Sequence, residues 1–121
     1  MKPIRAARAC PACGGGLNIQ RLGCGDCGTT VEGRFPWPRL ARLSHEDQHL
    51  IELLILSSGS LKAVASTLGI SYPTIRKQVN ALIGRLEAEV EADDAYRLEL
   101  LREVEEGRRS AAEVTERLEH L

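Results

Sequence analysis

The sequence predicts a mainly α protein with a small β unit at its N-terminal end, and three observations carry that expectation. All four cysteines fall between positions 10 and 27, in a glycine-rich stretch without helical periodicity. From position 44 onward, apolar residues recur at the three- and four-residue spacing of helices. Serines at positions 44, 60, 71 and 110 each stand just ahead of such a run, as N-caps do. The expected organisation is a cysteine-bearing unit over 1–33, a proline-rich linker over 34–43, a three-helix unit over 44–86 and an acidic helical tail over 87–121.

In the first unit, Cys10, Cys13, Cys24 and Cys27 form a C-x2-C-x10-C-x2-C array. Zn2+ favours four soft thiolates in a tetrahedron, and two intervening residues let one tight turn present both sulfurs. Gly14 and Gly28 follow the second cysteine of each pair, where a residue without Cβ can take positive φ and let N–H groups turn toward sulfur. Leu17, Ile19 and Leu22 mark a short strand and TTVEG a later one. The array reads as a zinc ribbon holding one structural Zn2+, with a redox dithiol pair as the alternative. So short a segment buries too little on its own, so the metal should supply much of its folding energy. Four thiolates leave no open position for a catalytic water.

The linker, RFPWPRL, contains Pro36 and Pro38, which fix φ and restrain the residue before each, so a stiff extended connector is expected. Trp37 between them is expected to pack the ribbon against the helices, or else to meet a partner. In SHED, Ser44 is suited to cap a first helix with Asp47 at its third position. Leu50, Ile51, Leu53, Leu54, Ile55 and Leu56 give that helix a wide apolar face. Ser60 caps a second helix with Leu61, Val64, Ala65 and Leu68 inward; Gly69 makes a tight turn, and Ser71 caps a third, with Pro73 at its second position. On the third helix Ile75, Val79, Leu82, Ile83 and Leu86 are expected inward, and Tyr72, Thr74, Arg76, Lys77 and Asn80 outward.

A helix, a short glycine-containing turn and a polar-faced helix make a helix-turn-helix, a motif that reads double-stranded DNA. Arg76 is the candidate for a bidentate guanine contact, Asn80 for adenine, and Tyr72 and Thr74 sit where a recognition helix meets bases. Lys77 and Arg85 are the candidate phosphate contacts, with Arg34, Arg39 and Arg42 in support. The alternative is a three-helix domain that binds only protein.

In the tail, Asp93 or Asp94 is placed to cap a new helix carrying Leu98, Leu101 and Val104 and stopping at Gly107. Ser110 and Glu113 then open another with Val114, Leu118 and Leu121. Two short helices joined at GRRS make a hairpin suited to oligomerisation or partner docking.

Net charge is −1, yet it is partitioned. Residues 1–33 hold four Lys/Arg and two Asp/Glu, 34–85 hold seven and three, and 86–121 hold five and twelve. The recognition helix thus starts in a segment of +4, while the tail carries −7. A tetrathiolate zinc site carries −2 and cancels the +2 of the first unit, leaving attraction to DNA to the middle, with Lys2, Arg5 and Arg8 as possible helpers.

Other classes find little support. Four aromatic residues, Phe35, Trp37, Tyr72 and Tyr96, are too few for a single-strand stacking platform. No apolar run approaches a membrane span, the basic start MKPIRAAR is followed by no apolar leader, and the expected address is the cytoplasm. Ser44, His45, Glu46 and Asp47 are consecutive and cannot form a catalytic relay; His45 and His49 lack a third metal ligand; no Walker loop is present. No catalytic residue is assigned and no enzyme is expected.

The strings CPACGG…CGDCGTTVEGRFPWPRLARLS and LKAVASTLGISYPTIRKQVNALI resemble a bacterial family catalogued as a domain of unknown function, which joins an N-terminal zinc ribbon to a helix-turn-helix. The likeness spans about residues 10–86. The tail is similar to short C-terminal helical modules suspected of mediating assembly. The resemblance implies a DNA-binding regulator. The expectation is a zinc-stabilised, sequence-specific transcriptional regulator, acting as a homodimer or higher oligomer. Its rivals are an adaptor docking on RNA polymerase, a sigma factor or another partner, and a thiol switch in which oxidation ejects zinc.

Overall fold

A computed structural model describes residues 9–119 of the chain. Lys2, Arg5, Arg8 and Leu121 lie outside the described residues. Two strands, β1 (Ile19–Gly23) and β2 (Thr30–Phe35), are followed by a 3-10 turn (Arg39–Arg42) and four helices: α1 (His45–Leu56), α2 (Leu61–Leu68), α3 (Tyr72–Glu105) and α4 (Ala111–Leu118). The fold is mainly α, as the spacing of apolar residues predicts. The chain separates into two compact units at the boundary between Trp37 and Pro38.

In the first unit β1 and β2 pair antiparallel, with Leu22 opposite Val31 and Gly23 opposite Thr30. The register slips between Ile19 and Arg21, because Ile19 pairs with Phe35 while Arg21 pairs with Glu32, so β2 carries one extra residue there. Trp37 belongs to this unit: its indole N–H donates to the Leu17 carbonyl at 2.9 Å. A partly buried indole needs such an acceptor, and here it fastens the chain that leaves β2 back onto the segment that enters β1.

Four serines start the four helices. Ser44, Ser60, Ser71 and Ser110 each accept a hydrogen bond from the backbone N–H three residues on, at Asp47, Ala63, Thr74 and Glu113. Each satisfies one of the donors a helix start leaves unpaired. Gly69 closes α2 at φ +67, the left-handed geometry that a side chain resists, and so sets the short turn into α3. The three-helix core consists of Leu43, Leu50, Val64, Ala65, Ile75 and Leu82, with Ile70, Val79 and Leu86 packed against it. Full burial of each large side chain contributes about 1.5–3 kcal/mol.

Several expectations change. The linker is not extended throughout: residues 39–42 coil into the 3-10 turn and Leu43 enters the core. Neither Asp93 nor Asp94 caps a helix, because α3 runs unbroken for 34 residues, about 51 Å at 1.5 Å per residue. The acidic hairpin is therefore the far end of α3 plus α4. Its buried contact uses Leu100 and Val114, while Leu98 and Leu101, expected inward, are 64% and 49% exposed. Ile83 is likewise 48% exposed, and Ile55 and Leu56 at the end of α1 lie open. No helix among the described residues is long and apolar enough to cross a membrane.

Candidate functional site

The two cysteine pairs adopt one turn twice. At the first, the Gly14 N–H donates to the Cys10 carbonyl at 2.8 Å and the Cys10 N–H to the Gly15 carbonyl at 2.7 Å. At the second, the Gly28 N–H donates to Cys24 at 3.0 Å and the Cys24 N–H to Thr29 at 2.7 Å. Gly14 and Gly28 have φ of +75 and +74, which closes each turn. Each turn sits at the tip of a ladder, bridged by Ala9 and Gly16 in one and by Gly23 and Thr30 in the other.

Donors gather on the sulfurs. The Gly15 N–H reaches Cys13 Sγ at 3.4 Å, and the Thr29 hydroxyl lies 3.0 Å from Cys27 Sγ. Backbone N–H groups of Cys13 and Ala12 hold the Cys10 thiol below its ordinary value; the hydroxyl and then the N–H of Thr29 do the same for Cys27. The thiolate is the form that ligates metal. All four thiols are free. Within each pair the sulfurs are neighbours, Cys10 with Cys13 and Cys27 with Cys24. Among the described residues no group of three or more ligating side chains has closed on one point. Four soft donors on two preformed turns fit Zn2+ in their chemistry.

In the helical unit, Tyr72, Thr74, Arg76, Lys77 and Asn80 are all exposed. Tyr72, Arg76 and Asn80 fall at i, i+4 and i+8 on one face of α3, with Lys77 beside them. Thr74 is partly committed: its Oγ1 lies 2.7 Å from the Ser71 hydroxyl and its N–H bonds the same group, so it belongs first to the helix cap.

Arg85 has a partner within the fold. Its Nε and a terminal nitrogen donate to both oxygens of Asp47, at 2.8 and 2.6 Å. Asp47 is 5% exposed, and the guanidinium hydrogen bonds hold its carboxyl below the ordinary range despite burial. A buried carboxylate requires such a partner, so Arg85 fastens α3 to α1 before it can serve a phosphate. Arg39 and Arg42 are committed in the same way. Both bond Asp93, at 2.9 and 2.7 Å, and Arg42 also bonds Glu89 at 2.8 Å. Burial opposes ionisation of Asp93, yet the guanidinium groups of Arg42 and Arg39 outweigh it and lower its pKa. Arg85, Glu89 and Asp93 stand at successive i+4 positions, so a ladder of ion pairs ties the segment 39–47 to α3.

Among the described residues of this unit, Lys62, Arg76, Lys77 and Arg117 have no carboxylate within ion-pairing distance, and Arg117, at the far end on α4, donates instead to the Tyr96 hydroxyl at 3.2 Å. Lys62, exposed in the first turn of α2, is absent from the sequence-based candidates; its signal is the capped helix start at Ser60, in the helix that precedes α3 across the Gly69 turn. In the SHED segment Ser44 caps α1 and Asp47 pairs with Arg85, while His45 and His49 are exposed.

Comparison with known families places this geometry. Residues 43–89 match a helix-turn-helix described as a domain of unknown function, DUF2089, and residues 10–41 match the DUF2089 zinc ribbon. Neither the curated proteins nor the solved structures gave a match.

Proposed function

Because the chain belongs to the DUF2089 family, with both its zinc ribbon and its helix-turn-helix in place, we propose that it is a sequence-specific DNA-binding transcriptional regulator. The observation that carries this reading is the capped start of α3, which follows the Gly69 turn and offers Tyr72, Arg76, Lys77 and Asn80 outward without internal partners. Arg76 donates to a guanine edge and Asn80 to an adjacent base. Lys77 and Lys62 hold phosphates on either side of the groove. Arg85, Arg39 and Arg42 act one step back, fixing the angle at which α3 is presented.

The four cysteines hold one Zn2+, which supplies structural cross-linking to the ribbon; with four thiolate ligands no coordination position is left for catalysis, and no enzymatic role is assigned. Two copies on paired half-sites extend the short sequence that one helix reads. The test is selection of fragments from genomic DNA by the zinc-loaded protein. Recovery of a common motif that Arg76→Ala no longer enriches is the expected result. Recovery of no motif by the wild-type protein, or an identical motif with Arg76→Ala, overturns the assignment.

A further inference from the structure

The acidic extension of α3 has a face that the DNA reading leaves unused. Glu87, Glu91, Asp94, Leu98, Leu101 and Glu105 follow one another at spacings of four, three, four, three and four residues, which is a single stripe along a helix. All six are exposed. Ile83, 48% exposed, precedes them on the same line. Among the described residues Glu87, Glu91 and Glu105 have no cation within ion-pairing distance, whereas the other acidic residues of α3 are paired, as Arg97 with Asp94 at 3.0 Å and Arg102 with Glu99 at 3.3 Å show. The helix hides Leu100 against α4 and turns Leu98 and Leu101 the other way. Two open leucines on a stripe that also carries three unpaired carboxylates are a poor way to end a solvated helix and a good way to meet a complementary surface.

We propose that this stripe docks a second protein through a basic amphipathic segment, with apolar side chains seated on Leu98 and Leu101 and Lys or Arg set against Glu87, Glu91 and Glu105. Charge decides the occupant. Nucleic acid is repelled by the carboxylates. A second copy meets like charge in either direction: parallel pairing opposes Glu87 and Glu91 to themselves, and antiparallel pairing about the two leucines opposes Asp94 to a second copy's Glu105. A cationic partner turns each of those positions into an attraction. Most of the stripe lies beyond residue 89, past the part of the chain that matches the family, so this surface belongs to the extension and is independent of the DNA reading.

The experiment uses the full zinc-loaded chain and two synthetic probes: a short helix of leucine and lysine with all leucines on one face, and a scrambled peptide of identical composition without that face. The expected result is saturable binding of the first probe, weakened about tenfold or more by scrambling, by Leu98→Gln/Leu101→Gln, or by Glu87→Lys/Glu91→Lys. These positions are exposed, and unchanged circular dichroism and DNA affinity of the leucine variant show that the fold is kept. Equal binding of the scrambled probe, or no effect of the leucine substitutions, overturns the proposal. So does sedimentation showing that Leu98→Gln/Leu101→Gln converts a dimer to a monomer, which assigns the stripe to self-association.

Discussion

Arg76 and Arg85 lie on the same helix, nine positions apart, in opposite surroundings. Arg76 is exposed and has no carboxylate partner among the described residues, while Arg85 grips the nearly buried Asp47 with two nitrogens. A residue that only reads DNA can be removed without loosening the fold; one that neutralises a buried carboxylate cannot. Arg76→Ala is therefore expected to leave the thermal midpoint near that of the wild type and to reduce discrimination for the preferred site about tenfold or more, in line with the roughly 1–3 kcal/mol of a bidentate base contact. Arg85→Ala is expected to lower the midpoint and to weaken binding to all sequences alike. Parallel melting curves and competition titrations separate the two. The order of residues offers Arg76 for a base and Arg85 for a phosphate, both on the polar side of the helical period; it does not show that Arg85 has a partner 38 residues away.

At the scale of elements, the sequence was most legible where local chemistry decides. Four serine caps, the Gly69 turn, the doubled cysteine turn and the second-position Pro73 all report on backbone needs within a few residues, and each was readable. The misreadings arose where distant partners decide. Asp93 has the chemistry of a cap, but Arg39 and Arg42 draw it into the interior of a continuous α3. Leu98 and Leu101 have helical spacing, yet α4 packs on Leu100.

The ion-pair ladder makes an element-level prediction about acid. Asp47 and Asp93 both have pKa values lowered from 3.8 in the folded protein. A depressed folded value means the unfolded chain binds more protons, so their stabilisation is full above the unfolded value and is lost as pH falls through 3.8 toward the folded values. Helical thermal midpoints should drop over that range, and Asp93→Asn should be less stable at neutral pH with a flatter acid dependence. Equal acid sensitivity in wild type and variant would remove Asp93 from the account. The ribbon answers to metal instead. Chelation, or Cys24→Ser, is expected to abolish one bound zinc per chain and the folded signals of residues 9–37, while the helical signal of the second unit persists, since the buried core lies wholly within that unit. Amide protection measured by hydrogen exchange before and after chelation checks it.

For the molecule as a whole, the formal charge of −1 conceals a division of labour. Basic residues counted between 34 and 85 are not all available, because Arg39, Arg42 and Arg85 are spent within the fold on Asp93, Glu89 and Asp47. Of that segment, what remains without a carboxylate partner in the helical unit is Lys62, Arg76 and Lys77. The far part of α3 is acidic, and under the proposed reading this confines contact with duplex to the first turns and leaves the distant face for a partner of opposite charge.

The central claim is that these few cations, placed at the start of α3 and on α2, bring an acidic protein onto duplex DNA. The most direct measurement is a fluorescence-anisotropy titration of the zinc-loaded protein on a selected duplex at several salt concentrations. With about 0.9 counterion released per neutralised phosphate, the two phosphate-holding lysines predict a log–log slope of about −2 per bound copy, made shallower by Lys62→Ala or Lys77→Ala. No association at low ionic strength, or a slope near zero, would contradict the claim.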